Sequence, residues 1–501
     1  MDTPTIRLGQ GAQTVVVGLV CAIPVIALGL YLGTPDFPMD DAYIVQHSVE
    51  SLRAGADSRF IGTPPLVGAT SPSQVLLIAA LSVLMPTAWA QFIISGVGAV
   101  LYAAGAFHLA QRFGARTLPA AGVALLAILA GMSVYHFFNG LETGLAMAAV
   151  IWSLILFFDP VPGRRWHFAL LGLLPYIRPE LAALSLILFT RAALHEWTAN
   201  RAGFIRSMAL SAAWSIAGAA PIALFLLASG QPIIPNTVSA KALFFAEGCR
   251  PFLAKEAFAA SILFEGVAIM GLAALGFIAA VTSRFRWVAV GFFAAVFAAY
   301  SLTLPGALAH NHHRYLYILI PLAIAGWASL TGVQDRRIRL GAWAGLGLAA
   351  FVSAIGFAST WSLYNRGLEI SRVELRGVSE WVRDNVPETA TVLVHDAGYI
   401  SEVGKSPLVD IVGLKTLSSI EAHRAFTWHT CGPDARAIDM IAGRAGASYM
   451  VVLKDWDNLF HFTSGLESRG WTLVRADAAR GETMYEVYRL TPPSQSAGLA
   501  R

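Results

Sequence analysis

Hydrophobic and polar positions divide this chain into long apolar runs separated by short polar loops. The first run, Thr14 to Leu32, carries no charge, and it gives way directly to "PDFPMDDAYIVQHSVESLRAG" at 35–55, which reads as an amphipathic helix headed by two adjacent carboxylates. Eight more runs, at 88–111, 117–134, 143–158, 206–229, 262–282, 287–305, 314–331 and 338–360, come near the roughly 20 residues that a membrane-crossing helix needs. Two apolar stretches fit less well: 73–85 is short for a crossing, and 167–190 is interrupted by "PYIRPE". Reading 73–85 as an interfacial helix, and 167–190 as a hairpin of half-helices turning at Pro175 to Pro179, leaves nine full spans. Every basic loop then falls on one side: Arg112 with Arg116, "GRRWH" at 163–167, Arg191 with Arg201 and Arg206, "RFR" at 284–286, and "QDRRIR" at 334–339. The positive-inside rule makes that side cytoplasmic. The N-terminus is then inside and everything after Leu363 outside.

From about Asn365 the pattern changes. β-rich runs at 391–395, 407–412, 448–453, 472–476 and 483–490 alternate with helical stretches near 370–385 and 434–445. The expected organisation is a helical membrane domain over 1–364, an outward-facing soluble α/β domain over 365–490, and a disordered tail over 491–501.

Composition supports the membrane assignment. Hydrophobic residues make up 56% of the chain and charged residues 13%, against roughly a quarter charged in soluble proteins, and the mean hydropathy is +0.60. The chain is therefore expected to be an α-helical polytopic membrane protein. A net charge of +4 would hint at nucleic acid in a soluble chain, but here the basic residues sit in the loops that set topology, so no nucleic-acid partner is expected. The first apolar run exceeds the core of about 7 to 15 residues of a signal peptide and reads as a retained anchor. Cys21, Cys249 and Cys431 show no metal-ligand spacing. Cys249 and Cys431 both fall outside and are free to pair in an oxidising compartment.

The polar places in this greasy chain lie mainly on the outward side: the loop of Asp40 and Asp41, "FFNGLETGL" at 137–145, the "RPE" turn, "GQPIIPNTVSAK" at 230–241, and "AHNHHRYLYILIP" at 309–321. An ionisable group at the centre of a membrane helix costs roughly 2.5 to 3.5 kcal/mol, so such groups pair or line a water-filled cavity. Arg178 with Glu180 is the clearest pair. If a sugar were transferred from a lipid-linked phosphate, the departing phosphate would need no strong acid. It would need a carboxylate to take the proton of the attacking hydroxyl and cations to hold the phosphate. Asp40 and Asp41 are the candidate bases, one raised in pKa by the other; Lys241, Arg178, His312, His313 and Arg314 are the candidate cations. Plainer roles compete. The aspartates suit a helix N-terminus, Glu142 can cap the following helix, Arg178 with Glu180 can pin a turn, and Lys241 can reach to the interface. The histidines invite a metal, which is not favoured, and "HDAG" at 395–398 reads as a turn after a strand.

In order along the chain, "DDAYI", "NGLET", "RPE", "PNTVSAK", "RY" and "HDAG" followed by "VDIVGL" together resemble bacterial GT-C fold glycosyltransferases. The nearest subgroup contains the mycobacterial terminal arabinofuranosyltransferases, and the likeness runs from about residue 36 to about 415. The resemblance implies a polyprenyl-phosphate sugar donor, an inverting single displacement, and an aspartate of the first outer loop, Asp40 or Asp41, as base. It also implies an acidic site residue in the second outer loop, matched by Glu142, and places Asn236, Lys241 and Arg314 around the lipid phosphate; Tyr43 and Glu180 are further supporting candidates. The acceptor would be a hydroxyl of a cell-envelope glycan, lipid or protein on the outer face of the bacterial inner membrane, and the enzyme would act as a monomer without a cofactor. The loop "RFIGTPPLVGATSPS" is shorter and less polar than the arabinosyl branch has before its "TSP", which leaves the sugar open. The competing classes are a lipid-linked sugar transporter, which a broken helix would suit, and a non-catalytic envelope assembly protein.

Overall fold

The structure is a computed structural model that describes residues 10–31, 35–158, 165–199 and 201–493. One helical body is built from α1 (Gln10–Tyr31), α2 (Asp41–Ala54), α3 (Pro72–Leu81), α4 (Thr87–Arg112), α5 (Thr117–Leu129), α6 (Ser133–Phe138), α7 (Thr143–Phe158), α8 (Phe168–Ile177) and α9 (Leu181–Ala199). It continues through α10 (Phe204–Ala228), α11 (Thr237–Phe245), α12 (Phe252–Met270), α13 (Gly276–Thr282), α14 (Arg286–Thr303), α15 (His310–Tyr317), α16 (Ile320–Thr331) and α17 (Arg336–Ile370). Among the described residues, 87–112, 204–228, 252–282, 286–303 and 336–385 are long and apolar enough to cross a membrane, and α15 with α16, bent by 48°, makes a sixth if the pair is one span. The expected nine is not reached by this measure. Two of the runs counted as spans are helices of only 13 and 16 residues, α5 and α7. α5 stops because Gly131 adopts a positive φ of 52°, which turns the chain into α6, and the Met132 N–H donates to the Tyr317 hydroxyl.

The basic loops gather at one end of this body. Arg284 lies over the Phe113 ring at 4.3 Å, Arg191 over Phe158 at 3.9 Å, and Arg165 pairs with Glu196 at 2.7 Å. Gly163 and Arg164 of the "GRRWH" loop lie outside the described residues. The break expected at Pro175 to Pro179 lies between α8 and α9 and is narrower than expected, since Pro175 stays inside α8. Pro179 disfavours the helical conformation at the residue before it, and Arg178 is extended there, with φ −154° and ψ 138°. The two halves fold back on each other, since the Ser185 hydroxyl donates to the Leu171 carbonyl at 2.8 Å. α8 also packs on α10 backbone to backbone: a Cβ at Gly172 would stand 1.8 Å from the Ser215 carbonyl oxygen, and one at Gly218 1.9 Å from that of Ala169. The stretch at 73–85 forms α3, whose N-terminus is capped by the Ser71 hydroxyl accepting the Gln74 N–H at 3.2 Å.

No linker separates the helical body from the C-terminal domain. α17 runs through one widened turn at Ser371–Leu375 into α18 (Arg376–Asn385), so the expected boundary at 364/365 falls inside a continuous helical run. The sheet contains β1 (Val392–Val394), β2 (Leu408–Asp410), β3 (Tyr449–Leu453), β4 (Thr472–Arg475) and β5 (Tyr485–Thr491) in the order β2-β1-β3-β5-β4. β1 is parallel to β2 and β3, with Val392 opposite Leu408 and Tyr449, whereas β5 runs antiparallel to β3 and β4. The carboxyl ends of the parallel strands face the helical body. The domain is fastened there by Asp36 to Arg372 (2.7 Å) and Arg376 (2.9 Å), by the buried pair of Asp57 with Lys415 (3.0 Å), and by a disulfide between Cys249 and Cys431. Of the expected tail 491–501, Thr491 ends β5 and residues 494–501 lie outside the described set.

Candidate active site

The site begins at the head of α2, where two adjacent aspartates have opposite partners. Asp40 occupies the N-cap position in a helical conformation and caps nothing in its own helix. Its carboxylate instead accepts the N–H groups of Gly398 at 2.7 Å and Tyr399 at 2.8 Å, just after β1. Burial, and next the neighbouring Asp396, push the Asp40 carboxyl well above its usual range despite those two donors. Asp41, about 100° further round the helix, points into the helical body. Its Oδ2 accepts from Asn311 Nδ2 at 3.0 Å and from Arg314 Nη1 at 3.3 Å. Burial raises the Asp41 carboxyl, but the cations Lys241 and Arg314 outweigh it and hold the group at about 2.

Asn311 reaches Asp41 because the backbone is bent to send it there. Asn311, His312 and His313 take φ values of 50°, 58° and 64° in succession, a left-handed turn that costs roughly 1–2 kcal/mol per residue. Asparagine and histidine are among the non-glycine residues that visit this region most readily. The same turn aims the next two side chains elsewhere. The His312 ring packs on Tyr135 at 4.7 Å while its carbonyl accepts from His136 Nε2 at 3.0 Å, and His313 Nε2 lies 3.8 Å from Glu265. Both rings line a separate cavity of about 580 Å³ beside α12 and α17.

Lys241, on α11, is buried at 9% exposure and lies 3.5 Å from His310 Nε2. Three cavities adjoin it. One of about 240 Å³ runs along Pro179, Val238, Ala242, Tyr300 and Leu304; a small one of about 30 Å³ is walled by Asp41, Ser71, Glu142 and Arg314; the third, about 320 Å³, lies beneath the α/β domain and is lined by Asp41, His310, Asn311, Asp396 and Trp456. Asp41 lines the second and third.

An ion group adjoins these cavities, with Glu142 on the wall of the small one and Glu180 on that of the first. Arg178 lies 2.9 Å from Glu142 Oε1, off the hydrogen-bond line, and donates to Glu180 Oε1 at 2.9 Å, while the Tyr300 hydroxyl donates to Glu180. Arg178 also lies over the Tyr315 ring at 4.9 Å, and Arg314 Nη2 donates to the Tyr315 hydroxyl at 3.2 Å, joining this group to Asp41. Arg314 keeps its Nε without a hydrogen-bond partner among the described residues.

With 95% of this chain and 97% of the other covered, the structure is similar to that of ArnT from Cupriavidus metallidurans bound to undecaprenyl phosphate, with a TM-score of 0.54 at 13% identity. The same protein in its apo state gives 0.53 at 15% identity over the same shares. The chain has the GT-C fold. An oligosaccharyltransferase of Archaeoglobus fulgidus, complexed with zinc and sulfate, covers 92% of this chain and 72% of its own at 13% identity and a TM-score of 0.48. Residues 366–488 match a domain of unknown function, DUF8728. No curated protein sequence matches the chain.

Several residues selected from the sequence are not gathered around Asp41. Asn236 spends its side chain fastening loops: Nδ2 donates to the carbonyls of Gly413 (3.2 Å) and Leu414 (2.9 Å), and Oδ1 accepts the Gly68 N–H at 3.1 Å. That leaves its amide occupied, where a phosphate contact was expected. His312 and His313 face the other cavity for the reason given above. The Tyr43 hydroxyl accepts the Phe37 N–H at 3.1 Å and contacts Ser371 Oγ at 3.3 Å, bracing the loop. Asp40, Arg178, Glu142 and Glu180 are held by protein partners, although Asp40 lines the third cavity with Asp41, Glu142 the second with it, and Glu180 the first. Lys241, Arg314 and Asp41 do converge, joined by Asn311 and His310, which lay in the quoted "AHNHHRY" but were not singled out. Nothing in the linear pattern distinguishes Asn311 from its histidine neighbours.

Proposed function

We propose that the chain is an inverting membrane glycosyltransferase that moves a sugar from polyprenyl phosphate to a hydroxyl of an envelope glycan, lipid or protein. The observation that carries it is the meeting of three cavities at Lys241, with Asp41 held by Asn311 and Arg314 beside it. The donor phosphate would dock against Lys241 and Arg314, its prenyl chain along Val238, Ala242 and Leu304. The acceptor hydroxyl would enter beneath the α/β domain and lose its proton to Asp41 as its oxygen bonds to the anomeric carbon. The bond from that carbon to the phosphate oxygen breaks with its electron pair, leaving polyprenyl phosphate. A bound anionic phosphate offsets the cations that depress Asp41, so the carboxylate gains basicity when the donor is in place. No metal is needed for this, since Lys241 and Arg314 meet the phosphate charge. The ArnT structure described as bound to undecaprenyl phosphate supports the donor class.

The site would face the outside of the bacterial inner membrane. Support comes from the basic loops at the opposite end and from the Cys249–Cys431 disulfide, which suits an oxidising compartment. Arabinofuranose is the first sugar to try, and the enzyme is proposed to work as a monomer. Purified protein incubated with a panel of polyprenyl-phosphate sugars should release polyprenyl phosphate, and Asp41→Asn should abolish release while donor binding persists. Normal transfer by Asp41→Asn would rule the mechanism out; movement of donor across vesicles without release would favour a transporter.

A further inference from the structure

The α/β domain carries an unsatisfied polar pair on the wall of the cavity that also holds Asp41. His395 and Asp396 leave β1 at its carboxyl end, and in open sheets ligands gather outside the carboxyl ends of parallel strands. His395 is 3% exposed, and its Nε2 accepts the Leu453 N–H at 2.8 Å, which fixes the ring proton on Nδ1. Nδ1 has no hydrogen-bond partner among the described residues, although Asp396 Oδ1 lies beside it at 3.3 Å, off the hydrogen-bond line. The other carboxylate oxygen of Asp396, Oδ2, accepts from the Tyr485 hydroxyl at 2.5 Å, so the group is anchored with Oδ1 left over. Trp456 stacks on the His395 ring at 4.9 Å and 20° and sets its plane.

A buried donor and a free acceptor side by side match a hydroxyl, which accepts from one and donates to the other. A phosphate would meet the Asp396 charge, and an ammonium has no lone pair for the Nδ1 proton. The cavity also presents Trp456 and Phe245, apolar surface suited to the C–H face of a sugar ring, and its roughly 320 Å³ lies at the small end of ligand-sized cavities. We propose that His395 and Asp396 form a hydroxyl-recognition subsite for a carbohydrate ring, facing Asp41 across the cavity. This rests on the glycosyl-transfer reading and deepens it. The ring belongs either to the acceptor or to the donor's sugar, because both carry the same hydroxyl chemistry.

The test uses the full chain in lipid nanodiscs and saturation-transfer NMR, with methyl α-arabinofuranoside, methyl α-mannopyranoside and polyprenyl-phosphate sugars as probes. Wild type should give saturation transfer from a sugar ring, and Asp396→Asn and His395→Phe should each weaken binding by about tenfold or more without changing undecaprenyl phosphate binding. Tyr485→Phe, which frees Asp396 but keeps it, should cause a smaller loss and serves if either variant folds poorly. A glycoside signal that survives saturating polyprenyl-phosphate sugar assigns the subsite to the acceptor; its displacement assigns the subsite to the donor's sugar. Absence of a sugar signal in wild type, or full binding in variants of unchanged melting temperature, overturns the proposal. Asp41→Asn in the release assay separates the two ideas. Normal transfer there with lost sugar binding in the His395 and Asp396 variants sinks the mechanism alone, and the reverse sinks the subsite alone.

Discussion

Two breaks interrupt the helical body near the site, and each carries a buried arginine. At 178–180 Arg178 lies against Glu142, Glu180 and the Tyr315 ring, so two carboxylates face one guanidinium. At 311–314 Arg314 shares one carboxylate, Asp41, with Asn311, while Asp41 still opens on two cavities. The first break gives its arginine two carboxylates, and the second gives its arginine one carboxylate that Asn311 also uses. An arginine with two carboxylates of its own pins a turn; one that shares a single carboxylate with a neighbour keeps charge for a ligand. The way each bend is made fits this difference. Pro179 enforces the first locally, whereas the second takes three left-handed residues that only the surrounding structure can hold.

The largest effect should come from the break at Asn311, where Asp41 is held. Asp41→Asn is expected to lower transfer by about 10²- to 10⁴-fold, measured as polyprenyl phosphate release. The break at Arg178 should answer oppositely: Arg178→Leu leaves Glu142 and Glu180 buried without their cation and should cost about 3–5 kcal/mol of stability, read by thermal unfolding in detergent. A transfer defect in Arg178→Leu at unchanged stability would erase the distinction. Asn311→Gly relieves one left-handed residue, worth up to about 1–2 kcal/mol, yet removes a bond to Asp41. Stability should hold or rise while transfer falls about tenfold.

Acidity gives a finer test. The Asp41 carboxyl in the folded chain sits at about 2, below its ordinary value. Its stabilising contribution is therefore complete above about pH 4 and fades as pH falls through about 2. The stability difference between wild type and Asp41→Asn should be constant from pH 8 down to about 4 and shrink below. Arg314→Gln, by removing one of the cations, should move that window upward. The smallest effect is expected at Asp40→Asn, which keeps one acceptor for the Gly398 and Tyr399 N–H groups: a loss of about 1 kcal/mol in unfolding, with transfer retained. A transfer loss at Asp40 equal to that at Asp41 would show that the two aspartates act together.

Much of the scaffold was legible in the chain because its causes are local. The apolar runs, the five strand segments, the break before Pro179 and the amphipathic helix behind the first run follow from period and from proline geometry within a few residues. The span count was harder to read, since α5 ends just before Gly131, beside a contact of Met132 with Tyr317, 185 residues apart in sequence. The division of labour between Asp40 and Asp41 was not legible either. Adjacent positions on a helix point about 100° apart, and their partners, Gly398 and Asn311, lie 358 and 270 residues away. Asn236, a plausible phosphate ligand by its motif, was claimed by the backbone of another domain, and "HDAG", which reads as a plain turn, was placed on the wall of the cavity. By itself the sequence determined where this chain is apolar, where it bends and which residue types border the outer cavity. Only the tertiary structure decided which of those polar groups are spent on holding the fold and which are left facing open space, because that depends on the direction of each side chain and on partners that folding alone brings within bonding distance.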